Sequence, residues 1–450
     1  MTDLQETASK AVARAIKLGV SHCDVLAADS RFISAEIEKG SIKQASVITD
    51  PGVAIRAFVR GSPGFAYCTG HNPSSIEKAV AHAVAMAKAG TKDPDFKDLP
   101  GKAKVRKVDG LFDSRIKLLE PDDAVAMVME VADAAGTDRR VSSVNASAGF
   151  AVGEVALANS NGFCSSQKMS SLDVGAEVVA TSGSVMFSGY DTGSSRKLDR
   201  NMIQKVGRTA GEHAIKGLSQ TRIETGDYAL LLDPMAIGFV FSMAIGGGAN
   251  ADSIQRKRSY LAGSLGKTIG ANEFSVTDDP TLEWATGSRS FDGEGVPSKK
   301  RVVVDHGVLR SYLHDSYSAG KDGIASTGNS SRGGSVWSYR HPPSISTSNL
   351  VIGKGDSSLE EMIEETKNGV YLRMTFDYPN LATGEFSGLM MESYSVKKGE
   401  VGPSIRQSTV GIGLIKMFRR IDMVGKERTN AFSVLTPPIR ISKARVGGSA

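Results

Sequence analysis

Seven histidines, His22, His71, His82, His213, His306, His314 and His341, are the first candidates for metal or acid–base chemistry in this chain. A catalytic zinc needs about three protein ligands and an open position for water. No two of these histidines stand at the i, i+3 or i+4 spacing that would place two ligands on one helical face. His213 follows Glu212 on a helix with no second ligand one turn away, and reads as a boundary pair. His314 ends a strand before Asp315, which could orient it, and reads as a strand-end side chain. The three cysteines, Cys23, Cys68 and Cys164, are odd in number, far apart and without C-x-x-C spacing. Asp278, Asp279, Asp292 and Glu294 could offer oxygens to a hard cation, but their spacing matches no calcium loop and they read as solvated turn carboxylates. Nucleophilic chemistry has no G-x-S-x-G elbow, and Ser330-Ser331 has no base nearby in sequence. Gly246-Gly247-Gly248 is not followed by the G-K-[ST] of a phosphate loop.

Those glycines belong to a stretch from Asp233 to Asp252, D-P-M-A-I-G-F-V-F-S-M-A-I-G-G-G-A-N-A-D. It follows a strand signal at Tyr228–Leu232 and is apolar enough from Met235 to Ile245 to be a buried helix. Here the chain resembles the TldD/PmbA (TldD/TldE) family of peptidases. The catalytic member of that family carries H-E-x-x-x-H on a helix at this point, followed by G and D. Set on this sequence, the pattern falls on Ser242, Met243 and Gly247 and continues through Gly248 and Asp252. Both histidines and the glutamate are absent, and the stretch holds no His, Cys or Glu for a transition metal. A filled interior is expected instead, with Met243 packed against Phe239 or Ile245.

The resemblance continues through Y-L-H-D-S-Y-S-A-G-K-D-G-I-A-S-T-G-N-S-S-R from Tyr312 to Arg332 and F-D-G-E-G-V-P from Phe291 to Pro297. It extends to the chain end, at Met423-Val424-Gly425, Pro437–Ile441 and Val446–Gly448. The catalytic member also has a cysteine between its late M-V-G-like segment and its final strand. Here Asn430–Leu435 reads N-A-F-S-V-L, and no cysteine follows Cys164. The resemblance therefore implies a TldE (PmbA)-like subunit with no catalytic residue and no metal of its own. Its partner would be a zinc-bearing TldD-like paralogue, with peptides or unfolded segments as substrate in a cavity that this chain completes. Thr327, Gly328, Asn329 and Arg332 are the expected substrate contacts. The alternatives are a stand-alone regulatory or binding protein of the DNA gyrase modulator type, and a peptidase acting alone through an unrecognised site.

The elements that must position these residues begin with a helix over Leu4–Leu18, whose Leu4, Ala8, Ala11, Val12 and Ala15 share one face before Gly19 stops it. Strands are predicted at Asp24–Asp29, Phe32–Ile37, Gly52–Val59 and Phe65–Tyr67, then a helix capped by Asn72-Pro73 and ended by Gly90. The order then repeats. Pro121 opens a helix with Val125, Val128, Met129 and Ala132 on one face. Strands follow at Val144–Phe150, Glu154–Leu157, Asp173–Ala180 and Val185–Phe187, and a helix from Leu198 closes near Gly217. Lys92–Asp109 reads as a linker or surface loop. From Tyr228 onward strand signals dominate, interrupted by a helix whose Ser358 and Glu361 form a capping box. The fold class is α+β: a duplicated helix/antiparallel-sheet N-terminal domain (1–220, repeats of about 1–92 and 120–217), followed by a β-rich, sandwich or barrel-like C-terminal domain (226–450).

With 450 residues and 40% hydrophobic content, two domains are the natural expectation. A net charge of +5 over 54 basic and 49 acidic side chains is small, and the one dense run, Arg256-Lys257-Arg258, lacks the interleaved aromatics of a nucleic-acid face. No signal or transit peptide and no apolar run of membrane-spanning length is read. The expectation is a soluble cytoplasmic protein that binds neither membrane nor nucleic acid.

Overall fold

A computed structural model describes residues 3–333 and 337–448. Helix α1 (Leu4–Lys17) starts where the Asp3 carboxylate accepts the amides of Gln5 and Glu6, and it buries the predicted apolar stripe. Strands β1 (His22–Glu38), β2 (Ser41–Thr49), β3 (Gly52–Val59) and β4 (Ser62–Thr69) lead to α2 (Pro73–Ala89), opened by Asn72 and Pro73. A short α3 (Ser114–Lys117) precedes α4 (Pro121–Ala135), β5 (Val141–Asn159), β6 (Cys164–Ser182), β7 (Val185–Ser195) and α5 (Arg200–Lys216).

Strand β1 is a single 17-residue strand where two short ones were expected, and β5 likewise joins Val144–Phe150 to Glu154–Leu157 over 19 residues. Turn-like Asp29-Ser30 and Gly149/Gly153 interrupt the apolar pattern, yet the β1–β5 ladder is continuous from Asp24↔Asn159 to Ile37↔Ala146. The two halves therefore share one seven-stranded antiparallel sheet. On one face Val25 and Ala27 lie under α1 and α2, while Ile33, Ala35 and Ile37 lie under α4 and α5. Strand β2 went unpredicted because nearly all its side chains are exposed and no alternation marks it. The buried face of α4 is Ala124, Met127, Val128, Val131 and Ala135, with Met129 turned to solvent. Small residues draw that face toward α5: a Cβ on Gly207 would stand 2.1 Å from the Val131 carbonyl oxygen.

The stretch expected as a linker or surface loop is a surface loop that is pinned at a few points. Leu99 and Val108 are buried and Phe96 stacks on Phe58 at 3.9 Å. The other face of the first half of the sheet, at Leu26, Ala28 and Ala54, is covered by Phe291, Trp337 and Tyr339 of the C-terminal part.

That part opens with β8 (Gln220–Thr221) and β9 (Gly226–Leu232), followed by α6 (Pro234–Phe241). A nine-stranded sheet containing β9 and a six-stranded sheet share one core with α6, and neither sheet closes into a barrel. Strand β9 pairs in parallel with Asn368–Met374 and antiparallel with Ile439–Gly447, which seats α6 at the centre. The Ser358–Glu361 capping box is present. Among the described residues no helix is long and apolar enough to cross a membrane.

Candidate functional site

Strand β9 ends at Asp233, whose carboxylate caps α6 by accepting the Met235 amide (2.9 Å). Beyond Phe241 the helix widens into a π turn, Ser242–Gly247, where the Gly248 amide reaches back five residues to the Met243 carbonyl. A π turn places residues i and i+5 on one side of the helix. Those are the positions, Ser242 and Gly247, on which the two histidines of H-E-x-x-x-H fall, with Met243 beside them. Ala244 and Ile245 are buried, whereas Ser242, Met243, Gly246 and Gly247 are half-exposed. Met243 is thus neither in the core nor exposed, and the expected filled interior is only partly formed on this face of the π turn. A Cβ on Gly247 would meet Leu381 Cδ1 at 2.7 Å and Met243 Cε at 3.7 Å, so only flexible side-chain ends occupy that space.

The hairpin formed by Thr429–Ala431 and Val434–Thr436 rests on α6, because Gly238 has no side chain: a Cβ there would stand 2.7 Å from the Ala431 carbonyl oxygen. Phe432 at its tip lies 6.1 Å from Phe239, which stacks on Tyr378 at 4.7 Å. The two stretches from which the resemblance requires metal ligands are thus neighbours. The donors there are the Ser242 hydroxyl, already bonded to the Phe239 carbonyl (2.9 Å), and a thioether. That donor set does not fit zinc, which takes thiolate, imidazole or carboxylate ligands. Among the described residues no three His, Cys, Asp or Glu are grouped to hold a metal ion.

The expected substrate loop is mostly interior. Thr327 Oγ1 accepts the His314 amide (2.6 Å) and donates to Asn329 Oδ1 (2.7 Å), and Asn329 Nδ2 donates to Asp278 Oδ2 (2.7 Å). Thr327, Gly328 and Asn329 are buried and hold the loop rather than face a cleft. Arg332 donates from Nε to the Gly293 carbonyl (2.9 Å) and from Nη2 to Asp24 Oδ1 (2.6 Å), and it lines a cleft of about 500 Å³. His314 is buried, and burial lowers its pKa.

The acidic group is corrected as well, since Asp278, Asp279, Asp292 and Glu294 are all buried. Arg56 bridges Asp24 (2.8 Å from Nε) and Glu294 (2.7 Å from Nη2), and with Arg332 it forms a four-residue ionic junction between β1, β3 and the C-terminal loops. Burial pulls the Asp24 carboxyl upward, but the charges of Arg56 and Arg332 hold it below its ordinary value. Burial and the Glu294 charge push Asp292 up to about 6.

A second titratable group, which sequence spacing did not announce, lies at a cavity of about 1360 Å³ between β7, α5 and the C-terminal part, with Asp191, His213, Asp233 and Arg373 on its wall. Arg373 donates to Glu392 Oε2 (2.7 Å), Asp191 Oδ1 (3.0 Å) and the Tyr190 carbonyl (2.7 Å). His213, read from sequence as a boundary residue, faces Glu392 and Tyr394, and Tyr371 donates to Asp233. Burial raises Asp191 to about 6 despite Arg373. Burial would also raise Glu392, but the His213 hydrogen bond and the Arg373 charge bring it below its ordinary value. These groups come from five separate elements. Only Glu212-His213 and the capping Asp233 stood out beforehand.

Models of the PmbA/TldA metallopeptidase domains match this chain in sequence order: domain 1 over 23–87, the central domain over 114–218 and the C-terminal domain over 225–448. A metalloprotease of Methanothermobacter thermautotrophicus is 27% identical, covering 96% of each chain. A metalloprotease PmbA homologue of Haemophilus influenzae is 24% identical over 99% of this chain and 96% of its own. The crystal structure of TldE from Thermococcus kodakarensis superimposes with a TM-score of 0.88 at 22% identity, covering 98% of this chain and 99% of that one, and so shares the fold.

Proposed function

The chain belongs to the PmbA/TldD metallopeptidase family, and from that premise we propose that it is the metal-free half of a two-subunit peptidase. The observation that carries this reading is the π turn of Ser242–Gly247. The backbone device that sets i and i+5 side by side is kept, while the side chains on it are a hydroxyl, a thioether and a hydrogen. Such a face can bound a cavity and touch a peptide, but it has no group to activate water. In this reading zinc and the general base come from a paralogue with an intact H-E-x-x-x-H. This chain supplies wall, strand edges and loop contacts for an extended peptide or unfolded segment. Arg332 reaches the cleft, and Thr327, Gly328 and Asn329 hold its loop in place.

The test is to mix the purified chain with such a paralogue, measure association, and follow cleavage of an unfolded peptide. A complex that cleaves faster than the paralogue alone is expected, with zinc by elemental analysis only in the paralogue. About one zinc per copy of this chain after mild chelation, or a paralogue that forms no complex and is fully active alone, would reject the proposal. The second result would leave the regulatory-protein alternative in front.

A further inference from the structure

The 500 Å³ cleft beside Arg332 lies within the size range of small-molecule sites, and its polar groups are out of balance. The carboxylates on and behind its wall are already hydrogen-bonded. Asp292 takes the amides of Glu294 (2.9 Å), Val296 (2.9 Å) and Ser330 (3.0 Å). Asp278 takes the Ser348 amide (2.7 Å), the Ser348 hydroxyl (2.9 Å) and Asn329 Nδ2 (2.7 Å). Some donors are not. Arg332 is only 4% exposed and its Nη1 has no partner among the described residues. The same holds for the hydroxyl of fully buried Ser330 and for Nε of Arg289. Among the described residues the Arg289 guanidinium has no carboxylate in salt-bridge range, its one hydrogen bond is to the Gly328 carbonyl at 3.2 Å, and its charge reaches Asp278 and Asp292 only from farther off.

Buried donors without acceptors are costly and mark a place where a ligand completes the set. Unpartnered N–H groups on two guanidinium groups, with a hydroxyl that can donate beside them, call for an oxyanion, and a planar fork suits a carboxylate best. The cleft also reaches the degenerate motif, since Thr347 on its wall approaches Gly246 within 2.9 Å of where a Cβ would stand.

We propose that this cleft binds the C-terminal carboxylate of a peptide, with Arg289 at the mouth, Arg332 and Ser330 at the base, and the preceding residues running past Thr347 toward Ser242–Gly247. The assignment names the ligand end for the cavity-wall role above and rests on that reading. The probe is a fluorescein-labelled tetra-alanine peptide with a free C-terminal carboxylate, compared with its C-terminal amide by fluorescence anisotropy on the full chain without any partner. The acid should bind at least about tenfold more tightly than the amide, the factor expected for one charge-assisted hydrogen bond. Arg289→Gln should abolish that preference without lowering stability. Ser330→Ala, which removes a hydroxyl that bonds nothing, should weaken acid binding at unchanged or raised melting temperature. Equal binding of acid and amide, an unaffected Arg289→Gln variant, or displacement of the peptide by equimolar inorganic phosphate would overturn the proposal. Because no partner subunit is present, failure here is distinct from failure of the two-subunit assembly.

Discussion

Replacing Arg56 by Met tests whether the ionic junction holds the two parts of the chain together. The guanidinium lies with 11% of its side chain exposed, against carboxylates of Asp24 and Glu294 that are each 1% exposed. Methionine fills most of the same volume, so the loss is electrostatic rather than a cavity. Asp24 keeps Arg332 at 2.6 Å, and Glu294 keeps only the Ser316 amide at 2.8 Å. Removing one partner of a buried pair costs about 3–5 kcal/mol. With one carboxylate still paired, the low end applies, about 3 kcal/mol. Urea denaturation followed by tryptophan fluorescence reads this, because Trp284 and Trp337 of the C-terminal part pack beside Gly110 and Gly153 of the N-terminal part. Adding Glu294→Leu should recover part of the loss, with a coupling of about 2 kcal/mol in the double-mutant cycle. The Asp24 carboxyl is held below its ordinary 3.8, so its contribution is present above that pH and lost as pH falls. Arg56→Met should shrink that acid-induced loss. A cost under about 1 kcal/mol, or strictly additive effects, would refute the reasoning.

Two further outcomes follow from burial. Met243→Glu should cost no more than about 1 kcal/mol by urea denaturation, because the π turn leaves the position half-exposed; a loss of several kcal/mol would restore the filled interior. Asp191 titrates near 6 in the fold against an ordinary 3.8. The native state therefore favours its proton, and stability falls as pH rises between those values. Asp191→Asn should remove up to roughly 3 kcal/mol of that fall, checked by denaturation at pH 4 and pH 7.

Helix ends were legible because they are written locally: Asn72-Pro73 and Ser358 with Glu361 each form the cap their types predict. Strand continuity was not. The backbone at Asp29-Ser30 and Gly153 has turn-like residues, and strand partners elsewhere in the sheet keep it extended, the β1–β5 ladder linking positions more than a hundred apart and Met169 of β6 lying opposite Gly153. The degenerate motif was legible as an absence, and its π turn was not, because such a turn leaves no periodic mark in six residues. The acidic residues misled for a related reason. Asp292 and Glu294 look like solvated turn carboxylates until Arg56, 238 positions from Glu294, arrives to pair with one of them.

The unbroken ladder between β1 and β5 bears on how this molecule can move. Fourteen consecutive residue pairs tie the first helical half to the second, so bending one half against the other would shear a row of backbone hydrogen bonds at once. The seven-stranded sheet therefore has no break in its ladder at the seam between the two halves. Widening the large cavity along β7 would have to break the ties that cross beside it, Arg373 to Asp191 and the Tyr190 carbonyl and Arg196 to the carbonyls of Ala285, Thr286 and Ser288, rather than flex the sheet.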